Sequence, residues 1–268
     1  MKLLFLAALC LTGSNAYGLV SSSKKSGWDK TSTVYLKSVT SRTGSYIKCT
    51  GTFVDDKTVM TAAHCLDGRD YTVIQEPESN RIRKYQGKRL YSYDLVIHHL
   101  YDPSGYRIGN YSHSGKYDIG FVKFSERSTD YFSRISFNNL GRGMKVYMEG
   151  YGHDMCVQGQ LSGLGVLRYG YNNLISEDDS FLSIRGPISP SGNHEVIACH
   201  GDSGMSLQYH SGNPDSDYSW GIYGIDAYSD DAFGGHMTSK FLAFTRPEIQ
   251  DFIVANVDLR HDPWAIRP

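Results

Sequence analysis

The sequence predicts an all-β body closed by one C-terminal helix. Three observations predict it. Short stretches that alternate apolar and polar residues recur between turn residues. Tyrosine (20) and glycine (28) are abundant among the 268 residues, which favours strands with many turns over helical bundles. A single helical pattern stands near the C-terminus.

The first half offers strands at 33–38 (TVYLKS), 47–54 (IKCTGTFV), 57–62 (KTVMTA), 71–76 (YTVIQE), 94–100 (DLVIHHL) and 119–124 (IGFVKF). The second half adds 145–151 (KVYMEGY), 194–198 (HEVIA), 205–210 (MSLQYH) and 220–225 (WGIYGI). DPSG, NNLGRG and SPSGN punctuate them as turns. The helix is expected at about 247–257, because Pro247 and Glu248 suit a first turn. Ile249, Phe252, Ile253 and Val257 then follow at helical spacing. Pattern alone leaves two small barrels and one large sandwich as equal alternatives.

Composition narrows the function classes. With 40% apolar and 21% charged residues the chain is an ordinary globular protein. Its formal net charge of −1, without a basic run, argues against a nucleic-acid partner. No repeat or low-complexity linker divides it.

Residues 1–18 have the pattern of a secretory signal peptide: Lys2, an apolar core from Leu3 to Leu11, then small residues at Ala16 and Gly18. Cleavage after Ala16 or after Gly18 fits. The core is shorter than the roughly 20 residues of a membrane span, so no stable membrane anchor is expected. Cys10 falls in that core, with Leu9 where a lipoprotein signal would carry a small residue. Cys49, Cys65, Cys156 and Cys199 remain, an even count that favours two disulfides in an exported chain, with three pairings open. CxxC, CxxH and HExxH spacings are absent, so no metal site or cofactor is expected.

Three strings carry chemistry. TAAHC (61–65) sets His64 before Cys65 at a strand end, YDIGFVKF (117–124) sets Asp118 before an apolar strand, and CHGDSGM (199–205) holds Ser203. GDSG alone suits any tight turn. Together, in the order His, Asp, Ser, these strings resemble the chymotrypsin-like (trypsin-fold) serine peptidase family. The resemblance spans nearly the whole mature chain.

The resemblance implies a fold of two six-stranded antiparallel β-barrels with a C-terminal α-helix. The first barrel (19–130) would carry His64 and Asp118, the second (131–268) Ser203 and the helix. It also implies a catalytic triad. A serine hydroxyl is a weak nucleophile, so His64 would take its proton, while Asp118 fixes the imidazole tautomer. The N–H groups of Gly201 and Ser203 would form the oxyanion hole. Cys49 would pair with Cys65, which leaves Cys156 to Cys199; the family instead often joins the cysteine before GDSG to one downstream. Asp202 would hold the serine loop structurally. In the family its counterpart pairs with a processed N-terminus, but no Arg-Ile-Val-Gly-Gly site occurs here.

Substrate-binding residues follow from the same resemblance. Ile197 stands six residues before Ser203, at the expected pocket floor, where trypsins carry an aspartate. Ala198 and the run Gly224, Ile225, Asp226 would form walls, the run also pairing with substrate backbone. An apolar side chain is the expected preference, with Asp226 a recruiter of basic and His236 of acidic alternatives. The expected partners are peptide or protein substrates and protein inhibitors, and the expected location is outside the cell or in the periplasm. The alternative is a catalytically silent relative that serves as a binding or regulatory module. Met205, where the family has a second glycine, is the departure nearest the nucleophile.

Overall fold

The computed structural model describes residues 23–24, 31–76, 79, 81–107, 110–154, 156, 162–188, 195–210, 220–230 and 235–259. The signal-like segment 1–18 lies outside them, as does the whole SPSGN turn (189–193).

Six strands form the first sheet: β1 (Thr33–Val39), β2 (Tyr46–Phe53), β3 (Thr58–Thr61), β4 (Tyr71–Gln75), β5 (Asp94–Ile97) and β6 (Gly120–Lys123). They pair antiparallel in the order β4-β1-β2-β3-β6-β5. The sheet curls until its ends meet. Tyr91 bridges Val73, and the Ser92 N–H donates to Thr72 O at 2.9 Å.

The second sheet is built on β7 (Lys145–Gly150), β8 (Arg168–Asn173), β9 (Phe181–Pro187), β10 (Ser206–His210), β11 (Trp220–Ser229) and β12 (His236–Ala243). Their order is β8-β7-β10-β11-β12-β9, again antiparallel. Asn172 closes this curl from its side chain. Its Nδ2 donates to Arg185 O on β9 (3.1 Å) and to Val196 O (2.7 Å). Short segments extend the sheet: Ser23–Lys24 beside β8, Ser176–Glu177 beside β9, and Arg134–Ile135 parallel to β11.

Period-2 alternation explains where the strands point. On β1, Val34 and Leu36 enter the first core with Cys49, Phe53, Val59 and Ile74. Tyr35, between them, faces the other way and stacks on Tyr151 of the second half, ring centroids 5.4 Å apart. Val146, Met148, Ile184, Leu207 and Phe241 fill the second core. A third cluster forms the seam: Met60 and Phe121 meet Ile222, Ile225 and Phe244. The terminal helix Pro247–Asn256 seals that seam with Ile249 and Ile253, both fully buried.

The expected architecture is present, with local differences. The described part of HEVIA, residues 195–198, forms no strand; Glu195 makes an isolated bridge to Tyr171. β8, β9 and β12 lie outside the expected strands; RYGYNN and FLSIRGP of β8 and β9 carry Gly, Asn and Pro, which depress strand propensity. Two short helices, Ser104–Arg107 and Tyr111–Gly115, occupy the connection between β5 and β6.

Candidate active site

His64 sits where β3 runs out. Ala62 is extended, and Ala63–Cys65 then make one 3-10 turn closed by the Leu66 N–H on Ala63 O (2.9 Å). Ala62 and Ala63 are fully buried, leaving no room for larger side chains. Cys65 is bonded to Cys49 on β2, as the resemblance implied, so the turn is tied to the sheet behind it. The imidazole remains 20% exposed.

Asp118 is fully buried immediately before β6. Its Oδ1 accepts the His64 backbone N–H at 2.8 Å, and its Oδ2 lies 2.6 Å from His64 Nδ1. Burial works against the imidazolium, but the Asp118 charge and hydrogen bond outweigh it and hold the His64 pKa above its ordinary value. That arrangement leaves Nε2 to act as a base with an imidazolium stabilised from behind.

CHGDSGM folds as two successive tight turns. The Asp202 N–H donates to Cys199 O (2.9 Å), and the Met205 N–H donates to Asp202 O (2.7 Å). Gly201 (φ +94°) and Gly204 (φ +81°) take left-handed conformations that L side chains resist. A Cβ on Gly204 would also stand 2.6 Å from the backbone of Ala62 and Thr50. Among the described residues, no hydrogen bond takes up the N–H of Gly201 or of Ser203. Both donors are therefore available to an anion. Met205 is fully buried in the second core, and its sulfur would lie 2.9 Å from any Cβ placed on Gly150.

Asp202 is fully buried behind this loop. Its Oδ1 accepts the Gly152 N–H (2.8 Å) and its Oδ2 the Cys199 N–H (2.9 Å). Gly150 and Gly152 are glycines because a Cβ on either would strike that carboxyl. Burial raises the Asp202 pKa to about 7, against the two backbone donors and Arg168, which pull it down. Arg168 is buried too and pairs with Asp154 at 3.3 Å. The Cys156–Cys199 disulfide joins the other end of the loop to the segment after Gly152.

His64 and Ser203 line two cavities together. One, of about 450 Å³, runs over Ile47, Leu164 and Gly201. The other, of about 830 Å³, runs past Tyr106 and Tyr228 to Ile188, Ala198, Cys199 and Met237. Ala198 and Asp226 thus line the larger cavity, whereas Ile197 is fully buried and not among its described lining residues. Gly224 and Ile225 are not among them either; Ile225 packs in the seam. Asp226 is 4% exposed, and its Oδ1 has no hydrogen-bond partner among the described residues. Burial, then the charges on Asp202 and Asp118, drive its pKa far above the carboxylate range. Sequence reasoning missed Tyr106, Ile188 and Met237, which carry no local signal. Tyr228 lies two residues beyond Asp226, past a bulge that shifts the β11–β12 register between them, so simple alternation does not place it. One cluster of metal-ligand types, Cys49, His64 and Cys65, occurs among the described residues, and the disulfide occupies both sulfurs.

The family model for trypsin matches residues 11–234. The chain belongs to the trypsin family. Among solved structures, HL collagenase is similar in fold, with a TM-score of 0.61 and 18% sequence identity over 90% of this chain and 97% of that one. No curated protein matches. In this trypsin-family chain, TAAHC supplies a buried turn, YDIG a buried acid, and GDSG a double turn with two unclaimed donors.

Proposed function

We propose that the chain is a secreted serine endopeptidase that cleaves peptide bonds through His64, Asp118, Ser203 and an acyl-enzyme. The observation that carries this reading is the His64–Asp118 pair at 2.6 Å sharing a cleft with Ser203 and two unclaimed N–H groups. Ser203 Oγ attacks the scissile carbonyl while His64 Nε2 takes its proton. The N–H groups of Gly201 and Ser203 receive the oxyanion, and His64 returns the proton to the leaving amine. Water, activated by the same imidazole, then releases the acyl group.

Ile188, Ala198, Met237 and the Cys156–Cys199 bridge support an apolar side chain before the scissile bond. Asp226 is not a counter-ion for a basic side chain in this reading, since its carboxyl is buried and that burial opposes its ionisation. Two disulfides support an oxidising compartment. Among the described residues no helix is long and apolar enough to cross a membrane.

A fluorophosphonate probe tests the reading. Wild type is expected to label covalently, and Ser203→Ala and His64→Ala are expected not to. Ser203→Ala should also lose at least about 10⁴-fold in peptide hydrolysis. A folded wild type that neither labels nor cleaves any peptide of a broad panel would make the chain a silent relative.

A further inference from the structure

Asp118 has a third partner outside the three strings. The hydroxyl of Tyr106 donates to Asp118 Oδ2, the same oxygen that faces His64 Nδ1. The Tyr106 ring also lies against the imidazole, with centroids 5.2 Å apart and planes inclined by 55°. Its oxygen is 3.0 Å from Ala227 O on β11, so one side chain touches the acid and base of the first half and a strand of the second.

The connection that carries Tyr106 is organised to hold it there. Asp102 caps the first short helix, with Oδ1 accepting the Ser104 N–H (2.8 Å) and Oδ2 the Ser104 hydroxyl (2.7 Å). The Ser114 hydroxyl, from the second helix, donates to Asp102 O (2.6 Å). A Cβ on Gly105 would come 2.3 Å from that hydroxyl, so the two helices close only around a glycine. Tyr101 and Tyr111 flank the Tyr106 ring at 6.5 and 5.7 Å.

We propose that Tyr106 is a positioning residue for the His64–Asp118 pair: its hydroxyl orients the Asp118 carboxylate and its ring fixes the imidazole. The proposal deepens the peptidase reading above and rests on it. The phenol stays protonated, because burial and then the Asp118 charge, with Tyr101 and Asp226 adding to it, hold its pKa far above the usual range. It is therefore a permanent donor. By sharing the negative charge on Oδ2 it moderates the pull of Asp118 on the His64 proton. Removing the hydroxyl concentrates that charge, so His64 should bind its proton more tightly, and the acid should lose one of its constraints.

The test compares wild type, Tyr106→Phe and a chain with 3-fluorotyrosine placed at position 106, all at full length. His64 titration is followed by NMR, which reports on the pair whether or not the chain hydrolyses anything. Tyr106→Phe should titrate at higher pH than wild type, and the fluorinated phenol, a stronger donor, at lower pH. In peptide hydrolysis Tyr106→Phe should lower kcat roughly 5- to 10-fold with KM little changed. The acid limb of kcat should move with the NMR titration. If Tyr106→Phe leaves the His64 titration where it was, or the fluorinated chain moves it the same way as Phe, the proposal is wrong. Should Tyr106→Phe not fold, the direction of the shift in the fluorinated chain decides alone. An inactive wild type with the expected NMR shifts would overturn the peptidase reading and leave the positioning contact standing.

Discussion

The Thr50 hydroxyl, on β2, donates to the Gly201 carbonyl at 2.9 Å, and the same oxygen accepts the Tyr151 N–H at 3.1 Å. The Thr50 N–H also donates to Ser203 O (3.1 Å). One fully buried threonine thus fastens the serine loop to the first half of the molecule. Thr50→Val keeps the shape but strands an acceptor and a donor, each costing about 1–3 kcal/mol. The expected result is a lower Tm and a kcat loss exceeding any change in KM, with Thr50→Ser restoring most of both. Equal kinetics in Thr50→Val and wild type would show that this contact does not act through the serine loop.

Asp202 predicts a pH dependence of stability. Its pKa is about 7 in the folded chain against a reference of 3.8, so the folded state binds more protons between those values. Stability from this group is therefore full below about pH 3.8 and declines as pH rises through about 7. Asp202→Asn cannot titrate and should lack that decline, although the amide satisfies only one of the two N–H donors and lowers stability throughout. Denaturant midpoints at pH 5 and pH 8 measure the difference in slope.

His98 acts in the opposite direction. It is buried under the terminal helix, its Nε2 3.2 Å from Glu248 O and its Nδ1 accepting the Leu100 N–H at 3.1 Å. Burial lowers its pKa, with His99 and Arg246 reinforcing and Glu248 opposing. The unfolded chain then binds the extra proton, so stability is full above about pH 6.5 and falls as pH drops below it. Removing the titration with His98→Gln should flatten that part of the curve. A Tm profile between pH 5 and 7.5 that is identical in variant and wild type would refute this.

Met205 is expected to be structural. Restoring the glycine of the family pattern should not improve activity, because the side chain fills the second core. Met205→Gly should cost at least about 2–5 kcal/mol, the usual penalty for emptying a buried site of that size. Met205→Leu should cost less than about 1.5 kcal/mol. Urea unfolding of the two variants separates packing from chemistry.

The Cys156–Cys199 bridge closes a 43-residue separation, for which the chain-entropy model gives about 4 kcal/mol. Cys156→Ala/Cys199→Ala should lose stability on that order. A peptide map of the non-reduced protein that recovers Cys156 as a free thiol would contradict the bridge itself.

Much of this molecule is local, and local features were legible. TAAHC, YDIG and GDSG specify a buried turn, an acid before a strand and a double turn, because small residues, glycine φ and apolar alternation act within a few residues. Six strands of the first sheet and the terminal helix follow from the same periodicities. What the sequence left open depends on groups far apart along the chain. Two barrels rather than one sandwich depend on closures such as Asn172 to Arg185 O, and the second disulfide needed Cys156 brought beside Cys199. Tyr106 stands 12 residues from Asp118 in a connection without periodicity, and only packing turns its hydroxyl onto the acid. CHGDSGM shows both sides. Its glycines dictate the turn, while the Thr50 hydroxyl, the Gly152 N–H and the buried Asp202 decide how that turn is held, because hydrogen bonds across a seam exist only once the chain has folded.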